Sequence, residues 1–110
     1  MTIYVDTLPT HPSWGRWAGG AHMMTTDIDE LHAFAKCLGL RREWFQDGSV
    51  PHYDLTPRKR ALAIKLGATE VGADEGIPDD VLLRCADGTY ETRHFRLARR
   101  APPSWRRAGT

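Results

Sequence analysis

Two aspartates and three histidines of this chain have side chains that could support acid–base catalysis or metal binding: Asp6, His22, His32, His52 and Asp54. An imidazole and a carboxylate can act as a general base and its orienting acid, and both are metal ligands. We predict Asp6, His52 and Asp54 as catalytic residues. Asp6 ends a predicted strand, and His52 and Asp54 share one face of an extended segment. A structural role for His52 and Asp54, locking this segment by hydrogen bonds, is the alternative.

Metal and cofactor motifs are not evident in the spacing of these residues. No two histidines stand four residues apart on one predicted helix. A glycine-rich phosphate loop and a serine-centred elbow are also missing from the sequence. The sequence therefore predicts neither a metal site nor a cofactor.

Three successive cations, Arg58, Lys59 and Arg60, follow the extended segment. The pair Thr56-Pro57 is typical of a helix start and places these cations in the first helical turn. That end of a helix disfavours each cation by about 0.3 to 1 kcal/mol but attracts anions. We predict Arg58, Lys59 and Arg60 as phosphate- or anion-binding residues, and expect replacement of Lys59 and Arg60 to leave stability unchanged or slightly higher. The alternative is that they point into solvent and pair with acidic residues.

Short strands and two main helices are predicted to position these side chains, so the expected fold class is α+β or a small α/β fold. Asp27 and Glu30 form a capping pattern at the start of the first helix. Leu31 and Leu62 are expected on the buried faces of the two helices. The predicted strands cover 3–5, 21–25, 52–55 and 68–71, the helices cover 28–38 and 57–66, and a helical turn covers 41–45.

The C-terminal part combines a predicted hairpin with a basic tail. Asp87-Gly88 is a preferred two-residue turn, and folding residues 81–97 about it pairs Arg84 with Glu91 and Cys85 with Tyr90. Residues 70–91 contain seven acids and one arginine, whereas residues 93–110 contain six arginines and no acid. We expect residues 1–97 to form a single domain, including a hairpin extension at 80–97, and residues 98–110 to be a disordered tail.

A chain of 110 residues has room for one domain, and its 41% hydrophobic and 26% charged residues are ordinary for a globular protein with a net charge of +1. No apolar run approaches the roughly 20 residues that cross a bilayer, and no secretion signal is evident. Cys37 and Cys85 lack the short spacing of a zinc or redox motif, so both are expected as reduced, core or near-core thiols in the cytoplasm. Trp14, Trp17 and Trp44 are expected to pack in or around the core, with base stacking as the alternative.

Several segments resemble one known family. They read I-Y-V-D at 3–6, D-E-L-H-A-F-A at 29–35, L-G-L-R-R-E-W-F-Q at 38–46 and P-H-Y-D-L-T-P-R-K-R-A-L-A-I-K-L-G-A at 51–68. Together they resemble a small bacterial and phage family, the domain of unknown function 4031, over roughly residues 3–71. The resemblance implies no particular activity. For a phage-encoded member, it implies a location in the cytoplasm of the host. Residues 80–110 lie outside it.

Three classes of function fit these observations. The first is an anion- or phosphate-binding accessory protein acting on nucleic acid or nucleotides, in which Arg41, Arg42 and the basic tail could assist the cationic turn. The second is a small phosphoester or nucleotide hydrolase, or a nuclease, that uses Asp6, His52 and Asp54. The third is a protein–protein interaction factor, directed for instance at a host protein, that uses the acidic segment and the basic tail. Expected partners are therefore nucleic acid, nucleotide phosphate or a host protein, and not a membrane.

Overall fold

The computed structural model describes residues 2–7, 19–72 and 75–99. Its helices and short strands confirm the predicted α+β fold class. In chain order the elements are β1 (Ile3–Val5), β2 (Ala21–Thr25), α1 (Ile28–Cys37), a 3-10 turn (Arg42–Trp44), β3 (Tyr53–Leu55), α2 (Pro57–Lys65), β4 (Thr69–Glu70), β5 (Leu82–Arg84), β6 (Tyr90–Thr92) and α3 (Arg93–Arg99).

A four-stranded sheet forms the centre of the fold, with the strand order β3-β2-β1-β4. β2 pairs antiparallel with both β1 and β3, and β4 joins β1 in parallel. In this register Val5 lies opposite Met23, and His22 lies opposite Asp54. The backbone N–H of Asp6 continues the β1–β2 ladder by donating to the carbonyl of His22 at 3.1 Å.

The two faces of this sheet differ because side chains alternate along each strand. One face meets α1 and α2 and contributes Ile3, Val5, Ala21, Met23, Tyr53 and Leu55 to the hydrophobic core. Leu31, Ala35, Leu38 and Ala63 complete that core from the helices. The intervening positions, which include His22 and Asp54, therefore lie on the opposite face.

Both main helices begin and end within one residue of their predicted bounds. The Asp27 side chain accepts a hydrogen bond from the Glu30 N–H at 2.9 Å, and the Thr56 hydroxyl accepts one from the Lys59 N–H at 3.3 Å. Gly39, with φ of +77°, follows the end of α1 and takes the left-handed conformation that other residues avoid. The local capping signals were therefore sufficient to locate these helices.

The buried face of α2 differs from the prediction. Leu62 is 36% exposed, and Ala63 is the fully buried residue of this helix. A small side chain at the contact lets the helix backbone approach the sheet closely, which a leucine at that position would prevent. The assignment of Leu62 to the core was therefore wrong, whereas that of Leu31 is confirmed.

The hairpin formed by β5 and β6 is confirmed, but its predicted register is wrong by one residue. Arg84 lies opposite Tyr90, and Leu83 lies opposite Glu91. The Cys85 N–H donates to the Thr89 carbonyl at 2.8 Å, so three residues rather than two connect the strands. Gly88, with φ of +88°, supplies the left-handed residue that such three-residue loops use.

The chain leaves the hairpin as a helix, α3, instead of continuing as a strand to residue 97. Glu91 accepts hydrogen bonds from Arg96 at 2.6 Å and from Arg99 at 2.6 and 3.0 Å, and these contacts fold the helix back on the hairpin. The helix runs two residues into the segment predicted as a tail. The remaining tail, residues 100–110, lies outside the described residues, as do Trp14 and Trp17.

The two cysteines are free. Cys37, at the end of α1, is exposed, which contradicts the prediction that it lies in or near the core, whereas Cys85 is half-buried. Trp44 is also exposed, at 51% of its surface. None of the helices in the described ranges is long and apolar enough to cross a membrane.

Leu31→Ala and Leu62→Ala should separate the buried helix face from the exposed one. Leu31→Ala should lower the free energy of unfolding by about 2 to 5 kcal/mol, the usual cost of truncating a buried leucine. Leu62→Ala should lower it by less than about 1 kcal/mol, because its side chain already meets solvent. Urea unfolding of both variants measures the difference, and equal losses would contradict the observed orientation of α2.

Candidate active site

Four polar side chains meet on the open face of the sheet: Asp6, His22, His52 and Asp54. We call this set the His–Asp cluster. Asp6 follows β1, His22 lies on β2, and Asp54 lies on β3, so cross-strand pairing sets three of them side by side. The structure thus brings together the three predicted catalytic residues and adds His22 to them.

Asp6 and His22 form the tightest pair in the cluster. The Asp6 Oδ2 atom lies 2.9 Å from His22 Nδ1, and the other Asp6 oxygen accepts a hydrogen bond from the backbone N–H of His22. These two contacts fix both the carboxylate and the imidazole. The ring is held so that its Nε2 atom points toward Asp54, at 3.8 Å from Asp54 Oδ1.

His52, which immediately precedes β3, approaches the same carboxylate. Its Nε2 atom lies 3.4 Å from Asp54 Oδ1, and its ring meets that of His22 edge-on with centroids 5.1 Å apart. Its Nδ1 atom lies 2.7 Å from the carbonyl oxygen of Val50. Two backbone hydrogen bonds between His52 and Gln46, of 2.9 and 3.1 Å, fix the backbone at this position.

Asp54 is therefore the central residue of the cluster. One carboxylate oxygen faces both imidazoles, and the other accepts a hydrogen bond from the side-chain amide of Gln46. The orientation of Asp54 is set by its position on β3 and by the hydrogen bond from the Gln46 amide. All four side chains are part-buried, with between 21% and 38% of each side chain exposed.

The electrostatics of the pair follow from these contacts. The hydrogen bond to Asp6 is the main cause that raises the pKa of His22; burial opposes it, and the charges of Asp6 and Asp54 add to it. Burial by itself would raise the pKa of Asp6, but the hydrogen bonds from the His22 side chain and backbone outweigh it, so that pKa is lowered. The folded protein thus favours a negative Asp6 next to a positive His22.

Two cavities adjoin the cluster. The smaller, of about 320 Å³, is lined by Asp6, His22 and His52 on the sheet side and by residues 48–50 and Ile77 on the other. The larger, of about 580 Å³, has Asp54 and Lys59 among its polar groups. Its apolar wall consists of Leu40, Trp44 and Phe45. Asp54 lies between the two because it lines the larger cavity and contacts both histidines of the smaller one.

The three cations of the predicted anion site point to different places. The Lys59 ammonium donates to the Leu38 carbonyl at the end of α1. The Arg60 guanidinium donates to the Asp6 carbonyl at 2.9 Å, to Thr7 Oγ1 at 3.0 Å and to Glu70 at 3.0 Å. Arg58 is exposed. Two of the three therefore bind oxygen atoms of the protein itself, and binding of an external anion by this turn stays a prediction.

His32, the remaining histidine of the initial candidates, lies away from the cluster. It forms a 2.9 Å hydrogen bond with the Tyr53 hydroxyl and packs edge-on against Phe45. Burial is the main cause that lowers the pKa of His32 and also the main cause that raises the pKa of Tyr53. Both groups are therefore neutral at physiological pH, and their hydrogen bond links α1 to β3.

His22 is one of the acid–base candidates in the sequence, but the predicted site of Asp6, His52 and Asp54 does not contain it. Its place in the site depends on its pairing with Asp6 and Asp54, which are distant in sequence. The available signal was its position in the predicted strand at 21–25, where it alternates with the buried Ala21 and Met23. An isolated polar residue between two core residues marks the outer face of a strand.

Comparison with known proteins places the chain in a family. A family model described as "Protein of unknown function (DUF4031)" matches residues 3–78, which is more than two thirds of the sequence. The chain belongs to the DUF4031 family. The match contains every member of the His–Asp cluster but not the β5–β6 hairpin or α3. No curated protein and no solved structure matched the chain.

Lys59→Gln should destabilise this DUF4031 protein, contrary to the expectation from the helix dipole alone. The ammonium satisfies a carbonyl at the end of α1, and loss of a charged hydrogen bond costs about 1 to 3 kcal/mol. Arg58→Gln is the matched control, because it removes a neighbouring exposed cation and should leave stability unchanged or raise it by up to about 1 kcal/mol. Equal unfolding midpoints in urea for the two variants would show that the Lys59 contact contributes nothing.

The Asp6–His22 pair should make stability depend on pH. Because the pKa of His22 is raised, the stability that it contributes is complete below the ordinary value of 6.5 and is lost as pH rises through the raised pKa. Asp6→Asn should remove most of this dependence, and Asp54→Asn should remove less, since Asp54 Oδ1 lies farther from the ring.

NMR titration of the His22 ring, in buffer that contains a chelator, measures this effect directly. Its pKa should lie above that of an exposed histidine in the wild type and fall in Asp6→Asn. Unfolding measurements above pH 5 avoid the separate loss of stability that protonation of Asp6, with its lowered pKa, causes in acid. An unshifted His22 in the wild type would show that the pair does not form in solution.

Proposed function

We propose that this DUF4031 protein is a small hydrolase that acts on a phosphoester or nucleotide, with the His–Asp cluster as its reaction centre. One observation carries the proposal: a nitrogen of His22, a nitrogen of His52 and an oxygen of Asp54 all lie within 4.8 Å of one another beside an open cavity. Convergent acid–base groups in a cleft are the usual arrangement of a hydrolytic site.

A water molecule held among these atoms would be placed for attack. Its oxygen forms the new bond to phosphorus, and the bond from phosphorus to the leaving oxygen breaks. The proton that the water loses passes to the cluster and from there to the leaving oxygen. Proton transfers of this kind contribute about 10² to 10⁴-fold to a rate. The Asp6–His22 contact assists because it stabilises positive charge that arrives on the cluster.

The larger cavity provides a place for the rest of a nucleotide. Lys59 has three N–H donors and uses one of them for the Leu38 carbonyl, so the others remain available to an anionic substrate. The half-exposed ring of Trp44 lies in the same cavity and stacks with the Arg41 guanidinium at 5.9 Å. An aromatic face beside a cation suits a base and its phosphate. Asp54 connects this cavity to the reaction centre.

The alternative of an anion-binding accessory protein is less well supported, because it requires Arg58, Lys59 and Arg60 to converge on one ligand. The alternative of an interaction factor depends largely on the basic tail, of which residues 100–110 lie outside the described ranges.

For each of these functions we expect a cytoplasmic protein, since reducing conditions keep thiols such as Cys37 and Cys85 free.

Hydrolysis of a defined set of substrates tests the proposal. The set contains a phosphate monoester and a phosphate diester of p-nitrophenol, nucleoside triphosphates and short single-stranded oligonucleotides. His52→Gln and Asp54→Asn should each reduce turnover by about 100-fold or more while substrate binding changes little.

His94→Gln is the matched control, because His94 is exposed on α3 and lies outside the cluster. It should hydrolyse the same substrates at the wild-type rate. If the wild type hydrolyses none of the substrates, or if His52→Gln and Asp54→Asn are as active as the wild type, the hydrolase proposal is wrong.

A further inference from the structure

We propose that the His–Asp cluster binds one divalent transition-metal ion, with His22 Nε2, His52 Nε2 and Asp54 Oδ1 as ligands. Two imidazoles and one carboxylate form the ligand set of many zinc sites that keep a position open for water or substrate. Nothing in the spacing of the sequence indicated this set. The proposed ion binding does not depend on the hydrolase proposal; only its role in catalysis does.

The outer contacts of the two imidazoles point to metal ligation. His22 Nδ1 faces an Asp6 carboxylate oxygen at 2.9 Å, and His52 Nδ1 faces the Val50 carbonyl oxygen at 2.7 Å. Both partners accept hydrogen bonds, so each Nδ1 carries a proton and donates it. In the neutral rings the lone pair is therefore on Nε2. Histidines that bind metals almost always donate their other N–H to a carboxylate or a carbonyl.

The two distances to Asp54 fit the same conclusion. With metal–ligand bonds of about 2.0 to 2.1 Å, two ligands of a tetrahedral ion lie about 3.3 to 3.4 Å apart. Asp54 Oδ1 lies 3.4 Å from His52 Nε2 and 3.8 Å from His22 Nε2. The first distance already matches, and the second requires a movement of a few tenths of an ångström. The other Asp54 oxygen is held by Gln46, which favours binding of the ion through a single oxygen.

A simple hydrogen-bond network explains these distances less well. Separations of 3.4 and 3.8 Å exceed the 2.7 to 3.2 Å of ordinary N–H···O hydrogen bonds. In addition, the Nε2 atom of a neutral ring that donates through Nδ1 has no proton to offer to Asp54. When both rings are neutral, two lone pairs therefore face a carboxylate oxygen, and a metal ion between them removes the repulsion.

The charge of the His–Asp cluster and the cavity beside it support an ion that takes part in catalysis. Asp6 and Asp54 supply two negative charges near the ion, which would balance a divalent cation. Without an ion the same carboxylates would repel the phosphate of a substrate. The cavity of about 320 Å³ leaves room for a water molecule on the ion. Under the hydrolase proposal, the ion would lower the pKa of its bound water, so that hydroxide would be available near neutral pH. The hydroxide would form the bond to phosphorus as the bond to the leaving oxygen breaks. Because the ligand atoms would be occupied by the ion, the proton of the water would pass to solvent, and solvent would protonate the leaving oxygen.

Metal titration of the full-length protein tests the inference. Protein freed of metal with a chelator is titrated with Zn²⁺ in a calorimeter and with Co²⁺, whose visible absorption reports its coordination. One ion per chain is expected to bind. Asp54→Asn and His52→Gln should abolish binding, and Asp6→Asn should weaken it by about 10 to 100-fold, since it removes an outer partner of a ligand. His94→Gln should bind like the wild type.

NMR of the histidine rings gives a second measurement that needs no substitution. Addition of Zn²⁺ to the wild type should shift the Nε2 resonances of His22 and His52 and leave those of His32 unchanged. Three results would each overturn the metal site. The first is the absence of stoichiometric binding, and the second is binding that persists in both Asp54→Asn and His52→Gln. The third is a set of shifts confined to other histidines.

The two proposals fail in different ways. Stoichiometric binding of Zn²⁺ by a protein that hydrolyses none of the substrates retains the metal site and rejects the hydrolase. Hydrolysis at the full rate by protein that binds no metal retains the hydrolase and rejects the metal site.

Discussion

The register between β1, β2 and β3 is the constraint on which the site depends. Val5 pairs with Met23 and His22 pairs with Asp54, so Asp6, His22 and Asp54 fall in one row across three strands. The hydrophobic core sets this register, because Val5, Met23, Tyr53 and Leu55 are almost completely buried on the other face. A slip of one residue would move these apolar groups to the surface and bury the imidazole and carboxylate groups. The geometry of the polar cluster is therefore maintained by apolar burial behind it.

The cationic turn of α2 adds a second restraint on the same region. Three cations at a helix start are unfavourable locally. Here Lys59 satisfies a carbonyl at the end of α1, and Arg60 binds the backbone carbonyl of Asp6 and the side chain of Glu70. These contacts connect α2 to α1, β1 and β4. The unfavourable interaction with the helix dipole is thus offset by tertiary hydrogen bonds, one of which holds the residue that orients His22.

The parts of the fold that the sequence predicted correctly are those with local causes. The caps at Asp27 and Thr56, together with glycine stops at Gly39 and Gly67, were enough to locate both main helices. Alternation also placed His52 and Asp54 on one side of their strand. These signals involve residues a few positions apart, so they can be read without knowledge of the tertiary structure.

The features that were missed depend on contacts between distant residues. His22 becomes part of the site only through pairing with strands on both sides, and the two proposed histidine ligands are thirty residues apart, outside any metal spacing motif. Whether Leu62 or Ala63 faces the sheet depends on how closely α2 approaches it. The hairpin register depends on whether two or three residues form the turn, and Asp87-Gly88 is compatible with both.

The central question about the cluster is what lies between Asp54 and the two imidazoles. An aspartate–histidine pair that acts as a general base directs the Nε2 lone pair toward substrate. In this protein both Nε2 atoms face Asp54 Oδ1, so that acceptor meets acceptor. Such an arrangement requires a cation, which is a proton when an imidazole is charged and a metal ion when both rings are neutral. Protons and metal ions therefore compete for one point in the structure. Asp6 favours the protonated form of His22, but its fixed carboxylate also makes His22 Nε2 a better metal ligand.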